Sequence, residues 1–195
     1  MKWARAVHYL ADLAQKCAER AELPESIRGL PVVELWTFGD VLGEPREVEV
    51  VRVALVVDLP EVPWLSAPHG AEHWANATRM AKNPIAPVWR SADALVWNHF
   101  VDRPARIWSV EDGVAQSALE AIRDGKGPEI RLPAPSPGEL RERLDEEMAL
   151  SLRSLREQTR GYDESRWGPG KVMAAADALW RAADGYLDLL DAMRR

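Results

Sequence analysis

Cysteine is almost absent from this 195-residue chain, which has only Cys17. That excludes an intramolecular disulfide and any cysteine-rich zinc site. Cys17 falls inside a helical pattern, where a free cysteine behaves as a small buried hydrophobe rather than a nucleophile. No window approaches the roughly 20 consecutive apolar residues of a membrane-spanning helix. The first residues, MKWARAVHYLADLAQKCAER, are broken by His, Asp, Gln and Lys and do not form the apolar stretch of a secretory signal. A cytoplasmic location without a membrane partner is therefore expected. A surplus of positive charge is also missing, with a net charge of −6. That argues against general nucleic-acid binding, which needs cations concentrated on one face, but leaves room for a local basic pocket. Phenylalanine and tyrosine are scarce, at two and three against nine tryptophans.

What is present is ordinary for a globular chain, with 47% hydrophobic and 29% charged residues. A chain of this length buries roughly two-thirds of its unfolded surface and needs neither disulfide nor metal to fold. Val7, Leu10, Leu13, Ala14, Cys17 and Ala21 recur at steps of three and four and mark one face of a helix. Pro24 and Gly29 end it. VVELWTF (32–38) reads as a buried strand and VEVVRVALVVDL (48–59) as the strongest strand, its second half continuous as if covered on both faces. AEHWANATRMAK (71–82) reads as a short helix. PVWR (87–90), ALVWNHFV (94–101) and ARIWSV (105–110) read as further strands. Glu111-Asp112 is expected to open a helix through Ile122 that stops at Asp124-Gly125.

The proline-rich RLPAPSPGE (131–139) is the best boundary, dividing an α+β domain over 1–130 from a helical hairpin over 136–195 packed on it. Ser136, Pro137 and Glu139 are spaced as a capping box with proline in the first turn. The helix that follows repeats Leu140, Leu144, Met148, Leu152 and Leu155. A last helix, about 170–193, aligns Val172, Met173, Ala176, Leu179, Trp180, Ala183, Leu187 and Leu190. The acidic run 139–147 and the basic run 153–160 are expected to be solvated faces with i,i+4 pairs.

The order helix, strand ending in glycine, short turn and long apolar strand is carried by LWTFGD (35–40), GEPREVEV (43–50) and VRVALVVD (51–58). This resembles the small nucleotidyltransferases, over about the first 60 residues. The resemblance implies an α+β fold, a nucleotidyltransferase-like mixed sheet with flanking helices followed by a C-terminal antiparallel helix pair. In that family a Gly-Ser turn holds phosphate and an Asp-x-Asp pair on the next strand holds two magnesium ions. Here Gly39 matches the glycine, but Asp40 stands in place of the serine. Glu49 is the only acid near the carboxylate pair, and Arg52 occupies one of its positions in the alternative register. A lone glutamate beside an arginine does not supply the oxygen ligands that two hard cations require. The expectation is a degenerate motif with no metal, no cofactor and no transferase chemistry. The chain also resembles an uncharacterised group of short bacterial proteins with PHGAEHWANATR-like and LWRAADGYLDLLDA-like segments.

A second cluster lies in residues 67–84. His69 and His73 are four apart, but Gly70 separates them and the His-Glu-x-x-His order of a zinc protease is absent, so metal binding is not expected. Five tryptophans, at 64, 74, 89, 97 and 108, fall among polar residues. Aromatic walls with a few placed donors hold small planar ligands. On this reading His69, His73, Asn76, Arg79, Trp97, Asn98, His99 and Arg103 are the candidate ligand-binding residues. The competing reading is that the tryptophans fill a core short of phenylalanine. Three functional classes remain open. The first is a non-catalytic nucleotidyltransferase-like protein binding a small anionic or aromatic ligand or a protein partner. The second is an enzyme using histidines and arginines of 69–103. The third is an antitoxin-type or assembly protein, with a homodimer through the C-terminal helices among its forms.

Overall fold

The computed structural model describes residues 1–168 and 172–194. Its contacts divide the chain into two compact units, one of residues 1–60 and 67–134, the other of residues 61–66 and 135–195. Among the described residues no helix is long and apolar enough to cross a membrane.

The first unit is a mixed α+β structure around a five-stranded open sheet. It begins with α1 (Trp3–Ala21), whose buried face is Ala6, Val7, Leu10, Leu13, Ala14 and Cys17. Burial pushes the Cys17 thiol far above its ordinary value, outweighing the opposing pull of Arg20. The short α2 (Glu25–Arg28) follows, then β1 (Val32–Phe38), a 3₁₀ turn over 39–42, and β2 (Val51–Val57). Next come α3 (Ala71–Ala77), β3 (Ile85–Ser91), β4 (Ala105–Ser109), β5 (Gly113–Val114) and α4 (Gln116–Arg123). The strand order is β3-β2-β1-β4-β5. β1 pairs antiparallel with β2 and β4, β2 parallel with β3, and β4 antiparallel with β5. Pro87 lies in β3, at the sheet edge, where a missing ladder donor is tolerated.

β1 matches its sequence reading residue for residue, whereas β2 is shorter than the apolar run around it. Val53 to Val57 are all buried, as a strand covered on both faces requires. Residues 94–101 are a loop rather than a strand. Their backbone groups are taken by side chains: the buried Asn98 Oδ1 accepts from Phe100 N and Val101 N, both at 2.9 Å, and Arg90 Nη2 donates to Leu95 O at 3.0 Å. α4 starts at Gln116, not at Glu111, because Asp112 and Gly113 (φ +71°) turn the chain into β5 instead. α3 stops at Thr78 because Arg79 takes a left-handed conformation (φ +58°).

The second unit is an antiparallel helix pair, α5 (Pro137–Ser165) and α6 (Val172–Met193), with residues 61–66 laid against it. The capping box is complete. Glu139 N donates to Ser136 Oγ at 3.2 Å, and Ser136 N donates to Glu139 Oε2 at 2.7 Å. α5 runs on to Ser165, ten residues past Leu155, and residues 170–171 of the expected last helix lie outside the described residues. The acidic stretch 139–147 is not wholly solvated. Arg143 and Glu147 are buried and paired at 3.0 Å, because their i,i+4 spacing brings them together on a buried stripe with Leu144 and Ser151. Trp64, which the sequence groups with the other tryptophans, belongs here: its indole N–H donates to Asp188 Oδ2 at 2.6 Å and its backbone N–H to Ser151 Oγ at 3.3 Å. Gly185 admits the Trp64 backbone so closely that a Cβ would lie 2.2 Å from the Trp64 carbonyl oxygen.

Two substitutions test this unit. Gly185→Ala drives a methyl group into main chain that cannot swing aside. We expect a loss of about 1–3 kcal/mol in urea melts. Ser136→Ala removes the cap, and we expect a melting temperature lower by roughly 2–4 °C at neutral pH. The Ser136 side chain and then its backbone hold the Glu139 carboxyl below the ordinary glutamate range. The contribution of this bond is therefore present above that range and disappears as pH falls through the lowered folded-state value. The difference between wild type and Ser136→Ala in thermal melts should shrink over that window.

Candidate functional site

The alternation of β1 places Leu35 and Thr37 on one face of the sheet and Glu34 and Trp36 on the other. Leu35 and Thr37 are fully buried beside Leu55 and Val53 of β2. Glu34 and Trp36 sit opposite Val56 and Ala54, and are only half-buried. The loop after β3 crosses this second face, anchored by Arg90 and Asn98 and by an edge-to-face contact of Phe100 with Phe38 at 5.7 Å.

Between loop and sheet lies an open cavity of about 650 Å³. Its floor on the sheet is Glu34, Trp36 and Val56, and Ala94, Val96 and Trp97 of the loop line it together with Ser109 and Leu132. Leu95 and Val110, each at least half exposed, stand at the mouth. The size falls within the range of about 300–1,000 Å³ usual for small-molecule sites.

The polar part of the floor is pre-arranged. Trp36 Nε1 donates to Glu34 Oε2 at 2.8 Å, and Arg106 Nη1 donates to Glu34 Oε1 at 3.0 Å. Arg106 also lies over the Trp36 ring, 5.8 Å from its centroid, and its other amino group reaches Asp112 at 2.8 Å. A carboxylate has about four acceptor positions, so Glu34 keeps lone pairs for a ligand while its rotamer is held. Glu34 and Glu111 are the ionisable side chains of the lining, which has no His, Cys, Lys or Arg.

Of the ligand-binding residues expected from sequence, Trp97 lines this cavity and the rest do not. His73 and Asn76 are exposed on α3, His69 is exposed just before it, and Arg79 is exposed just after it. Asn98 is a buried loop latch, His99 is half-buried in the loop, and Arg103 Nε donates to Leu132 O at 3.1 Å. Trp74, Trp89 and Trp108 are buried in the first unit, where Trp74 and Trp89 meet edge to face at 5.8 Å. For these three the core-filling reading holds. The sequence reading missed Glu34 and Trp36, although an acid two residues before a tryptophan in an otherwise apolar strand puts both on one face.

Of the four residues compared with the glycine-turn motif, Gly39, Asp40 and Arg52 come together and Glu49 does not join them. Gly39 has a left-handed φ of +77°, and Arg52 Nη1 lies 3.2 Å from where a Cβ would sit. Asp40 is ion-paired with Arg46 at 2.6 Å and lies 3.8 Å from Arg52. Arg131 Nη2 donates to Gly39 O at 3.2 Å. Glu49 is exposed and precedes β2. Among the described residues no group of three or more His, Cys, Asp or Glu side chains is arranged to hold a metal ion.

The family model of a domain of unknown function, DUF7711, matches residues 1–195. The chain belongs to the DUF7711 family. No curated protein and no solved structure matches it.

The loop that roofs the cavity depends on Asn98. Asn98→Ala leaves two backbone amides without their acceptor, and a lost buried bond of this kind costs about 1–3 kcal/mol. We expect amide exchange at Phe100 and Val101 to quicken markedly by NMR while the β1–β2 amides keep their protection.

Proposed function

We propose that this DUF7711 chain is a non-catalytic binding protein, built on a nucleotidyltransferase-like sheet, that takes a small, largely apolar and planar ligand. The observation that carries the reading is the cavity itself: a mostly apolar slot lined by Trp36 of the sheet and Trp97 of the loop, with the Glu34 carboxylate held beside Trp36. Two tryptophan walls favour a flat aromatic body, because ring faces offer large contact area at little entropic cost. Glu34 favours a ligand carrying an N–H or O–H donor or a positive charge. An anionic ligand is disfavoured, since the lining offers no cation and the nearby Arg106 is already engaged by Glu34 and Asp112.

Support for a nucleotidyltransferase-like scaffold comes from the β1–Gly39–β2 arrangement, in which the turn glycine is left-handed and the following strand pairs back on β1. Support for a binding rather than catalytic role comes from the lining. It has no His, Cys or Lys, the Ser109 hydroxyl donates to an Asp112 carboxylate that Arg106 also holds, and the central acid Glu34 is tied down by an indole and a guanidinium. Of the positions that would bear metal ligands, one register offers only the exposed Glu49 and the alternative register puts Arg52 in place of a carboxylate.

A neutral apolar dye such as Nile red tests the reading. We expect saturable binding to the wild-type chain, lost by at least tenfold in Ala94→Trp, which fills the slot, and weakened several-fold in Trp36→Ala. Glu34→Gln should discriminate further, lowering affinity for an aromatic amine while sparing the dye. Dye binding that is indifferent to Ala94→Trp would place it elsewhere and overturn the assignment.

A further inference from the structure

α6 is apolar over most of its circumference. Its Ala182, Gly185 and Leu189 are buried. On the opposite side Met173, Trp180 and Leu187 recur every seven residues and are 78%, 63% and 56% exposed. Ala176, Ala183 and Leu190, half-buried, lie between the stripe and the core. Polar side chains are confined to one narrow sector, which holds Asp177, Asp184 and Asp191 at the same seven-residue spacing, with Arg181 and Asp188 beside them. A helix apolar nearly all round is one that expects burial on several sides. α5 covers one side and residues 61–66 another, through Trp64 against Gly185 and Asp188.

α5 has the complementary character. Met148, Leu152 and Leu155 form a half-buried edge, and next to it Arg156 and Arg160 are exposed, while Arg153 beside them pairs with Glu61 at 2.6 Å. At about 100° per residue, the apolar edges of the two helices fall on the same side of the hairpin, away from residues 61–66. The basic and acidic rows flank that side at its two outer margins.

We propose that the hairpin packs against a second copy of itself as an antiparallel four-helix bundle, with α6 of each copy lying on α5 of the other. The choice of a second copy follows from charge and level. Arg141 Nη1 reaches Met193 O at 3.4 Å, which fixes how the antiparallel helices are staggered. Counting along both helices from that point, Arg160 falls near the level of Asp177 and Arg156 near that of Trp180, each within about one turn. A two-fold axis parallel to the helices preserves these levels. It therefore sets the arginine row of one copy beside the aspartate row and Trp180 of the other. An interface of this kind is self-complementary, as two-fold symmetry requires. It also draws the exposed stripe toward cover, with guanidinium groups placed for stacking on Trp180.

Sedimentation velocity on the full chain over a wide concentration range tests the proposal. We expect a species of twice the monomer mass, and its loss in Trp180→Glu with unchanged circular dichroism. Two charge-reversed chains sharpen the test, one carrying Asp177→Arg and Asp184→Arg, the other Arg156→Glu and Arg160→Glu. Each alone should associate at least tenfold more weakly than wild type, and an equimolar mixture of the two should recover a heterodimer. A strictly monomeric wild type overturns the proposal. So does a dimer indifferent to Trp180→Glu and to both reversals, or a mixture that stays monomeric. A monomer whose stripe is protected from hydrogen exchange would show that the stripe is covered within one chain, which also overturns it.

Discussion

The central position of β1 is the constraint on which the first unit depends. A middle strand must satisfy two ladders and two faces at once. Its even and odd residues are therefore committed to different surroundings, and a slip of one residue would exchange them. Leu35 and Thr37 go to the fully buried face, and Thr37 Oγ also donates to Arg52 O at 3.0 Å across the β1–β2 seam. Glu34 and Trp36 are left on the face that only a loop crosses. A carboxylate in the middle of a sheet would be costly if bare. The indole of Trp36 and the guanidinium of Arg106 remove that cost, and in doing so fix the floor of a cavity.

The second unit depends on a different kind of constraint, the close approach of a six-residue segment to a helix. Gly185 is where the Trp64 backbone rests on α6. Ser151 and Asp188 then supply partners for the amide and indole that this approach buries. Leu65 accepts a positive φ of 55° beside it, an uncommon backbone state for leucine that the surrounding contacts must hold. The hairpin thereby acquires a finished side and leaves the stripe of α6 on the other.

Much of the architecture was legible from residues alone. The first helix, β1, the glycine turn and the capping box of α5 each rest on local signals: a 3.6-residue or 2-residue period, or a cap whose partners lie within four positions. Where the reading failed, the competing force was not local. ALVWNHFV has strand composition, yet Asn98 and Arg90 take up its backbone groups and hold it as a loop. Glu111-Asp112 looks like a helix start, yet Asp112 turns back to Ser109 and Arg106 and the chain makes β5 first. Arg143 and Glu147 look like a solvated pair, yet both are buried.

The tryptophan-rich, polar stretch that drew attention in the sequence separates in three dimensions. Trp74, Trp89 and Trp108 fill the core, Trp64 serves the helical unit, and Trp97 alone of the five reaches the cavity wall. Its counterpart Trp36 lies 61 residues earlier in the chain. By itself the sequence determined α1, β1, the glycine turn and the capping box of α5, because each is set by neighbours close along the chain. Only the tertiary structure decided which tryptophans line one cavity and that Glu34 lines it with them. That outcome rests on strand order, and strand order is a matter of contacts between residues far apart in sequence.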